Sequence, residues 1–133
     1  MPIHQDFPVH IFPNDCDAVG HVNHAHMLRL LERARWAVLE QTMTYDEYGK
    51  STLWAVVRKV EALYNAQVYA GDDLSVRTGL TSIGKTSFVV RQEARNQSGA
   101  SVCEASFVYV TVSPEGKPIP VPEKWRTIFP PWE

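Results

Sequence analysis

The chain has 133 residues, 44% hydrophobic and 21% charged, with a formal charge of −2. That length suits one domain, 1–133, and the near-neutral charge gives no general attraction to nucleic acid or to an anionic membrane. The opening MPIHQDFPVHIF has no basic stretch leading into an apolar one, and no run approaches about 18 apolar residues, so a cytoplasmic protein without a membrane span is expected.

In chain order, Phe7 to Phe12 alternates as a short strand that Pro13-Asn14-Asp15 ends. A helix of roughly 23 to 41 follows. Turning on the order of 100° per residue gathers Met27, Leu30, Leu31, Ala34, Ala37 and Val38 on one arc, extended by Leu28 and Leu39, which is wide enough to require burial. Arg35 falls on that arc, where a lone guanidinium is costly, and Glu32 one turn earlier is its natural partner. Met43 to Ser51 reads as a polar connection. Leu53 to Val68 has period two, placing Trp54, Val56, Val60, Ala62, Tyr64, Ala66 and Val68 on one face, which Arg58 interrupts.

After a turn at 69–73, strands Leu74 to Thr81, Thr86 to Asn96 and Ser101 to Val112 are separated by Ile83-Gly84-Lys85 and Gln97-Ser98-Gly99. The tail predicts a short helix near Pro122 to Ile128. One strand, one buried helix and four strands joined by tight turns make an α+β domain: an antiparallel sheet of about five strands wrapped around a long central helix.

Polar chemistry is concentrated just before that helix, in NDCDAVGHVNH. Asp15, Cys16, Asp17, His21, Asn23 and His24 stand together there with Gly20. A helix start offers unpaired N–H groups and partial positive charge, which can stabilise the oxyanion formed when a carbonyl is attacked. A carboxylate held a few residues upstream, such as Asp17, can serve as nucleophile or general base. On spacing alone, turn-forming aspartates and solvated histidines explain the cluster equally well. Cys16 lies between two aspartates whose charges oppose thiolate formation, so it is a poor nucleophile. His21, His24 and Asp17 have metal-ligand chemistry without a metal-ligand spacing, so no metal is expected. The two cysteines, Cys16 and Cys103, are too few for a disulfide framework and are read as reduced. No G-x-S-x-G elbow or Gly-rich phosphate loop occurs.

The run D-x-D-A-x-G-H-V-N-H-A followed by L-x-R-L-L-E-R-A-R resembles the signature of the 4-hydroxybenzoyl-CoA thioesterase-like family of hotdog-fold acyl-CoA thioesterases. Val56-Val57-Arg58, Tyr64, Gly71-Asp72-Asp73-Leu74-Ser75-Val76 and Pro118-Ile119-Pro120 match further family elements, so the likeness spans nearly the whole chain. The resemblance implies a hotdog fold and hydrolysis of an acyl-CoA thioester, with coenzyme A entering as part of the substrate and no separate cofactor. It implies Asp17 as the catalytic carboxylate and His24 at the helix-start position that polarises the carbonyl. His21 and Asn23 are similar to the H-V-N element of related acyl-ACP thioesterases, whereas common members carry aliphatic or aromatic residues there. Glu32 is a second catalytic candidate, since one branch uses a helix carboxylate; neutralising Arg35 is its competing role. A homo-oligomer, dimer or tetramer, with each site at a subunit interface, is also implied.

Coenzyme A carries phosphates, so Arg58, Lys59 and Lys85 are candidates for binding it, ahead of Arg91 and Arg95, and Trp54 or Trp36 for the acyl pocket. Solvated charges and core aromatics are the competing explanations. Two other functions fit the fold: a non-catalytic acyl-CoA-binding protein, and an enoyl-CoA hydratase, whose D-x-N-P-x-x-H-type element is absent.

Overall fold

The computed structural model describes residues 3–50 and 54–133. Five strands form one antiparallel sheet: β1 (Asp6–His10), β2 (Trp54–Tyr64), β3 (Asp73–Ile83), β4 (Ser87–Arg95) and β5 (Ser101–Val112). Their order is β1-β3-β4-β5-β2, so β1 and β2 are the two edges. The long helix α1 (His24–Leu39) packs on one face, joined by α2 (Tyr45–Lys50) and α3 (Trp125–Ile128). The sheet around a central helix is the expected architecture.

The arc read from the sequence is the buried face of α1: Met27, Leu30, Leu31, Ala34, Val38 and Leu39 are buried, and so is Arg35. The core has two clusters. The first half of α1 packs with Val9, Leu74, Val76, Ala94, Ala105 and Phe107. Its second half packs with Phe88, Val90, Val121, Trp125, Ile128 and Phe129. Between them runs a polar seam. Arg35 Nη1 donates to Gln92 Oε1 (2.9 Å), and Gln92 Nε2 donates to Leu31 O (2.8 Å) and Thr78 Oγ1 (3.0 Å).

Three expectations are corrected. The stretch from Met43 is not a bare connection, because Thr44 and Glu47 form a reciprocal capping box that starts α2: Glu47 N–H donates to Thr44 Oγ1 (3.1 Å) and Thr44 N–H to Glu47 Oε1 (3.2 Å). Ser51 and Leu53, the expected end of that connection and start of the next strand, lie outside the described residues.

The single apolar face expected for β2 does not exist. A bulge between Val57 and Lys59 inserts Arg58 as an extra residue and reverses the alternation. Ala55 and Val57 therefore pair with core-facing Thr111 and Tyr109, and beyond the bulge Val60, Ala62 and Tyr64 pair with Phe107, Ala105 and Cys103. Trp54 and Val56 consequently point to the opposite side from Val60. The third correction concerns Glu32, which is exposed and makes no ion pair with Arg35; the guanidinium instead bonds Gln92 and lies 3.8 Å above the Phe107 ring.

Smaller differences are at element ends. The first strand stops at His10 because Pro13–Asp15 forms a 3-10 turn, and the tail helix is only Trp125–Ile128, entered by Trp125 N–H donating to Pro122 O (3.0 Å).

Candidate functional site

Seven residues of loop bring Asp17, His21, Asn23 and His24 together at the head of α1. A turn starts the loop, with Gly20 N–H donating to Asp17 O (3.0 Å) and Gly20 at φ 97°, a conformation that glycine adopts without steric cost. Val19 N–H donates to Asp17 Oδ1 (2.9 Å), fixing the carboxylate; its other oxygen is uncommitted among the described residues. The loop is tied to the connection between β2 and β3 by Val22 N–H donating to Val68 O (2.8 Å) and by a bridge between His21 and Tyr69.

Asn23 is the helix cap: its Oδ1 accepts from His26 N–H (2.9 Å), and its carbonyl accepts the first helical bond from Met27 (3.0 Å). The N–H groups of His24 and Ala25 precede that first bond and have no acceptor within the helix. These two donors and the Asp17 carboxylate stand at opposite ends of the same short loop, and Asp17, Asn23 and His24 are all exposed in the single protomer. The His21 ring meets Tyr69 edge-on with centroids 5.8 Å apart, and the His24 ring meets Tyr64 likewise at 6.4 Å. Tyr64 also donates its hydroxyl to His24 O (2.9 Å), so the end of the edge strand β2 is connected to the helix head.

Asp15 and His26 supply a support that reading the sequence missed. Asp15 Oδ2 accepts from Phe12 N–H (2.9 Å) and Oδ1 lies 2.9 Å from His26 Nε2, so one carboxylate links the 3-10 turn to the first turn of α1 across the loop that holds Asp17. The Phe12 amide holds the Asp15 carboxyl below its ordinary 3.8, His26 adds to this, and partial burial opposes it. The signal was present as a third imidazole in HVNHAH.

The remaining candidates are not with this cluster inside one protomer. Glu32 is two turns along α1. Trp54 is ten residues from Tyr64 along β2, roughly 33 Å of extended strand. Lys85 lies in the β3–β4 turn, and Lys59 pairs with Glu61 at 2.7 Å. Arg58 is the exposed bulge residue. No group of three or more metal-ligating side chains occurs among the described residues, and no described helix is long and apolar enough to cross a membrane.

A cavity of about 290 Å³ lies between the second half of α1 and the start of β2, lined by Arg35, Trp36, Tyr48, Ala55, Tyr109 and Trp125 among others. Arg35 is eleven residues beyond His24, about 16 Å along a helix rising 1.5 Å per residue. Within one protomer the cavity and the Asp17 loop are separate features.

The thioesterase-like superfamily model matches residues 11–129. The acyl-CoA thioester hydrolase YbgC of Escherichia coli is 33% identical over 113 residues, 81% of each chain. A thioesterase from Thermus thermophilus, solved with coenzyme A and Zn, aligns with a TM-score of 0.78 at 26% identity over 94% of this chain and 96% of that one. A 1,4-dihydroxy-2-naphthoyl-CoA thioesterase from Synechocystis shares the fold, with a TM-score of 0.83 at 20% identity over 93% of both chains. A helix wrapped by a five-stranded antiparallel sheet, headed by the D-x-D-A-x-G loop and matched over most of its length, places this chain in the thioesterase-like superfamily on the hotdog fold.

Proposed function

We propose that this enzyme is an acyl-CoA thioesterase in which Asp17 acts on the thioester carbonyl at the head of α1. The observation that supports this is one loop of seven residues leading from Asp17, whose second oxygen is uncommitted among the described residues, to the open N–H groups of His24 and Ala25. Hydrolysis needs an attacker and a receiver of charge. Asp17 either adds to the carbonyl carbon itself or removes a proton from the water that does, and the helix-start amides hold the resulting oxyanion. The carbon–sulfur bond then breaks and the sulfur takes up a proton to leave as thiol; where water attacked, the acid is formed at once, and where Asp17 attacked, water then cleaves the acyl–Asp17 anhydride, releasing the acid and restoring the carboxylate. In this reading the rings of His24 and His21 hydrogen-bond the substrate, and Asn23 caps the helix start beside them.

The enzyme is completed by a second copy of itself. As an edge strand of eleven residues, β2 exposes Trp54, Val56, Val57, Val60, Leu63 and Tyr64, each at least 42% accessible, and such an edge invites pairing. Antiparallel pairing of two β2 strands carries the Trp54 end of one toward the Tyr64 end of the other, and hence toward its Asp17 loop. Arg58, Trp54 and the turn at Lys85 then become available to coenzyme A across the interface.

The test is thiol release from a panel of acyl-CoAs by wild type and Asp17→Asn. Asparagine keeps an oxygen for Val19 N–H, so the turn survives. The variant is expected to fold and bind coenzyme A normally but to lose at least about 100-fold in turnover. Full activity in the variant refutes the assignment of Asp17 and moves it to Glu32. Acyl-CoA binding without thiol release by wild type refutes catalysis.

A further inference from the structure

We propose that the cavity beside Arg35 binds a carboxylate carried on a compact apolar body. Arg35 is only 7% exposed and lines the cavity, yet among the described residues no carboxylate pairs with it. Its polar partners are neutral groups: it donates to Gln92 Oε1, and the Tyr109 phenol lies close by. Nε is buried with no acceptor at all among the described residues. A buried cation in this state lacks its counter-charge, and an arginine cannot shed its proton to escape the cost.

The guanidinium is also held still. Gln92 Nε2 is committed to Leu31 O and Thr78 Oγ1, so the amide must turn its oxygen to Arg35, while Phe107 supports the guanidinium face at 3.8 Å. A cation fixed on one side and open on the other is preorganised for a planar, singly charged acceptor that takes two parallel N–H donors. The other walls, Trp36, Leu39, Tyr48, Ala55, Trp125 and Phe129, are apolar or aromatic. One cation among such walls suits a carboxylate on a hydrocarbon or aryl body; a phosphate dianion requires more donors. Burial pushes the phenols of Tyr48 and Tyr109 up, and for Tyr109 the nearby Arg35 guanidinium offsets only part of that rise, so both stay neutral hydroxyls. Glu32 also lines the cavity and is exposed, pairing with no cation among the described residues, so it competes with an incoming acid for Arg35.

The ligand carboxylate has two sources: a free organic acid, or the far end of an acyl group whose thioester is elsewhere. Binding is read without turnover, so this inference survives or fails apart from the proposed hydrolysis. Trp36 and Trp125 line the cavity and report on it by fluorescence. Wild type is titrated with benzoate, phenylacetate and 3-phenylpropionate, and with the three matching primary amides. Saturable quenching by at least one acid is expected, with its amide at least about tenfold weaker. Arg35→Met should abolish the preference and Glu32→Gln should tighten acid binding. Equal binding of acid and amide by wild type, or no saturable acid binding, overturns the proposal whether or not the variants fold.

Hydrolysis of adipoyl-CoA against its distal methyl ester separates the sources. A wild-type preference for the free distal acid that disappears in Arg35→Met assigns the carboxylate to the substrate. Equal turnover of the two alongside acid binding assigns it to a free acid.

Discussion

Replacing Arg35 by methionine separates what the buried guanidinium does for stability from what it does for binding. The substitution removes the bond to Gln92 and leaves a buried carbonyl oxygen without a donor, a cost of about 1–3 kcal/mol. The stacking over Phe107 is lost, worth up to about 2 kcal/mol when desolvated, and a thioether against the same ring returns roughly 0.3–1.5 kcal/mol. Against these losses stands relief of a cation buried without a counter-ion, with Nε orphaned; replacing even a paired set of buried ions by well-packed hydrophobic residues is often neutral or stabilising by about 1–4 kcal/mol. The opposing contributions nearly cancel, and Arg35→Met is expected within about 1 kcal/mol of wild type. Urea unfolding followed by circular dichroism measures this, provided the slope is unchanged. Adding Gln92→Leu should recover part of any deficit, because the orphaned oxygen then disappears. Loss of more than about 3 kcal/mol in Arg35→Met would refute the reasoning, since it would make the cation itself a structural requirement.

Gly79→Ala should release the C-terminal segment, because a Cβ there would meet the Trp132 backbone at 2.6 Å. The bonds at risk are Leu80 N–H to Pro130 O and Trp132 N–H to Leu80 O, with the Arg91 guanidinium 4.6 Å from the Trp132 ring. A loss of about 1–3 kcal/mol is expected, and deleting 130–133 should then cost much less in the variant than in wild type; additive effects would contradict this. Asn23→Ala removes the cap of α1 and should lower stability by about 1 kcal/mol, read by thermal unfolding, with a larger relative fall in turnover because the amides at the helix head lose their anchor. The Asp15 carboxyl is more acidic in the folded chain than its ordinary 3.8, so its contacts stabilise fully above that pH and are lost as pH falls below it. Asp15→Asn should therefore flatten the acid limb of the stability profile; an unchanged limb would count against it. Leu63→Glu on the exposed edge should shift sedimentation toward the monomer and reduce turnover together, whereas an active monomer would contradict the shared site.

Much of the fold was legible because its determinants are local. The apolar arc of α1 specifies a buried helix. Gln97-Ser98-Gly99 marks a turn through Gly99, which has φ 79°. What was not legible depends on partners distant in sequence. The bulge at Arg58 shows only in the register against β5, and it undid a face assignment that strict alternation had made reasonable. Arg35 found Gln92, 57 residues away, instead of Glu32 one turn before it, because the guanidinium points into the sheet while Glu32 remains in solvent. The loop from Asp17 to His24 was readable as a unit. Its brace, the Asp15–His26 contact, was not, since nothing in the spacing of those two residues distinguishes an eleven-residue closure from coincidence.

The extra residue in β2 also determines which strands can lie alongside it. Above and below the insertion, the side chains of this border alternate in opposite phase, so a regular foreign strand that fits one half is out of step in the other. A strand carrying the same irregularity, turned about a two-fold axis, meets matching halves in both directions. In the two-fold pairing proposed above, the irregularity would work as a key, admitting its own twin while denying a long apolar border to indiscriminate fibre growth.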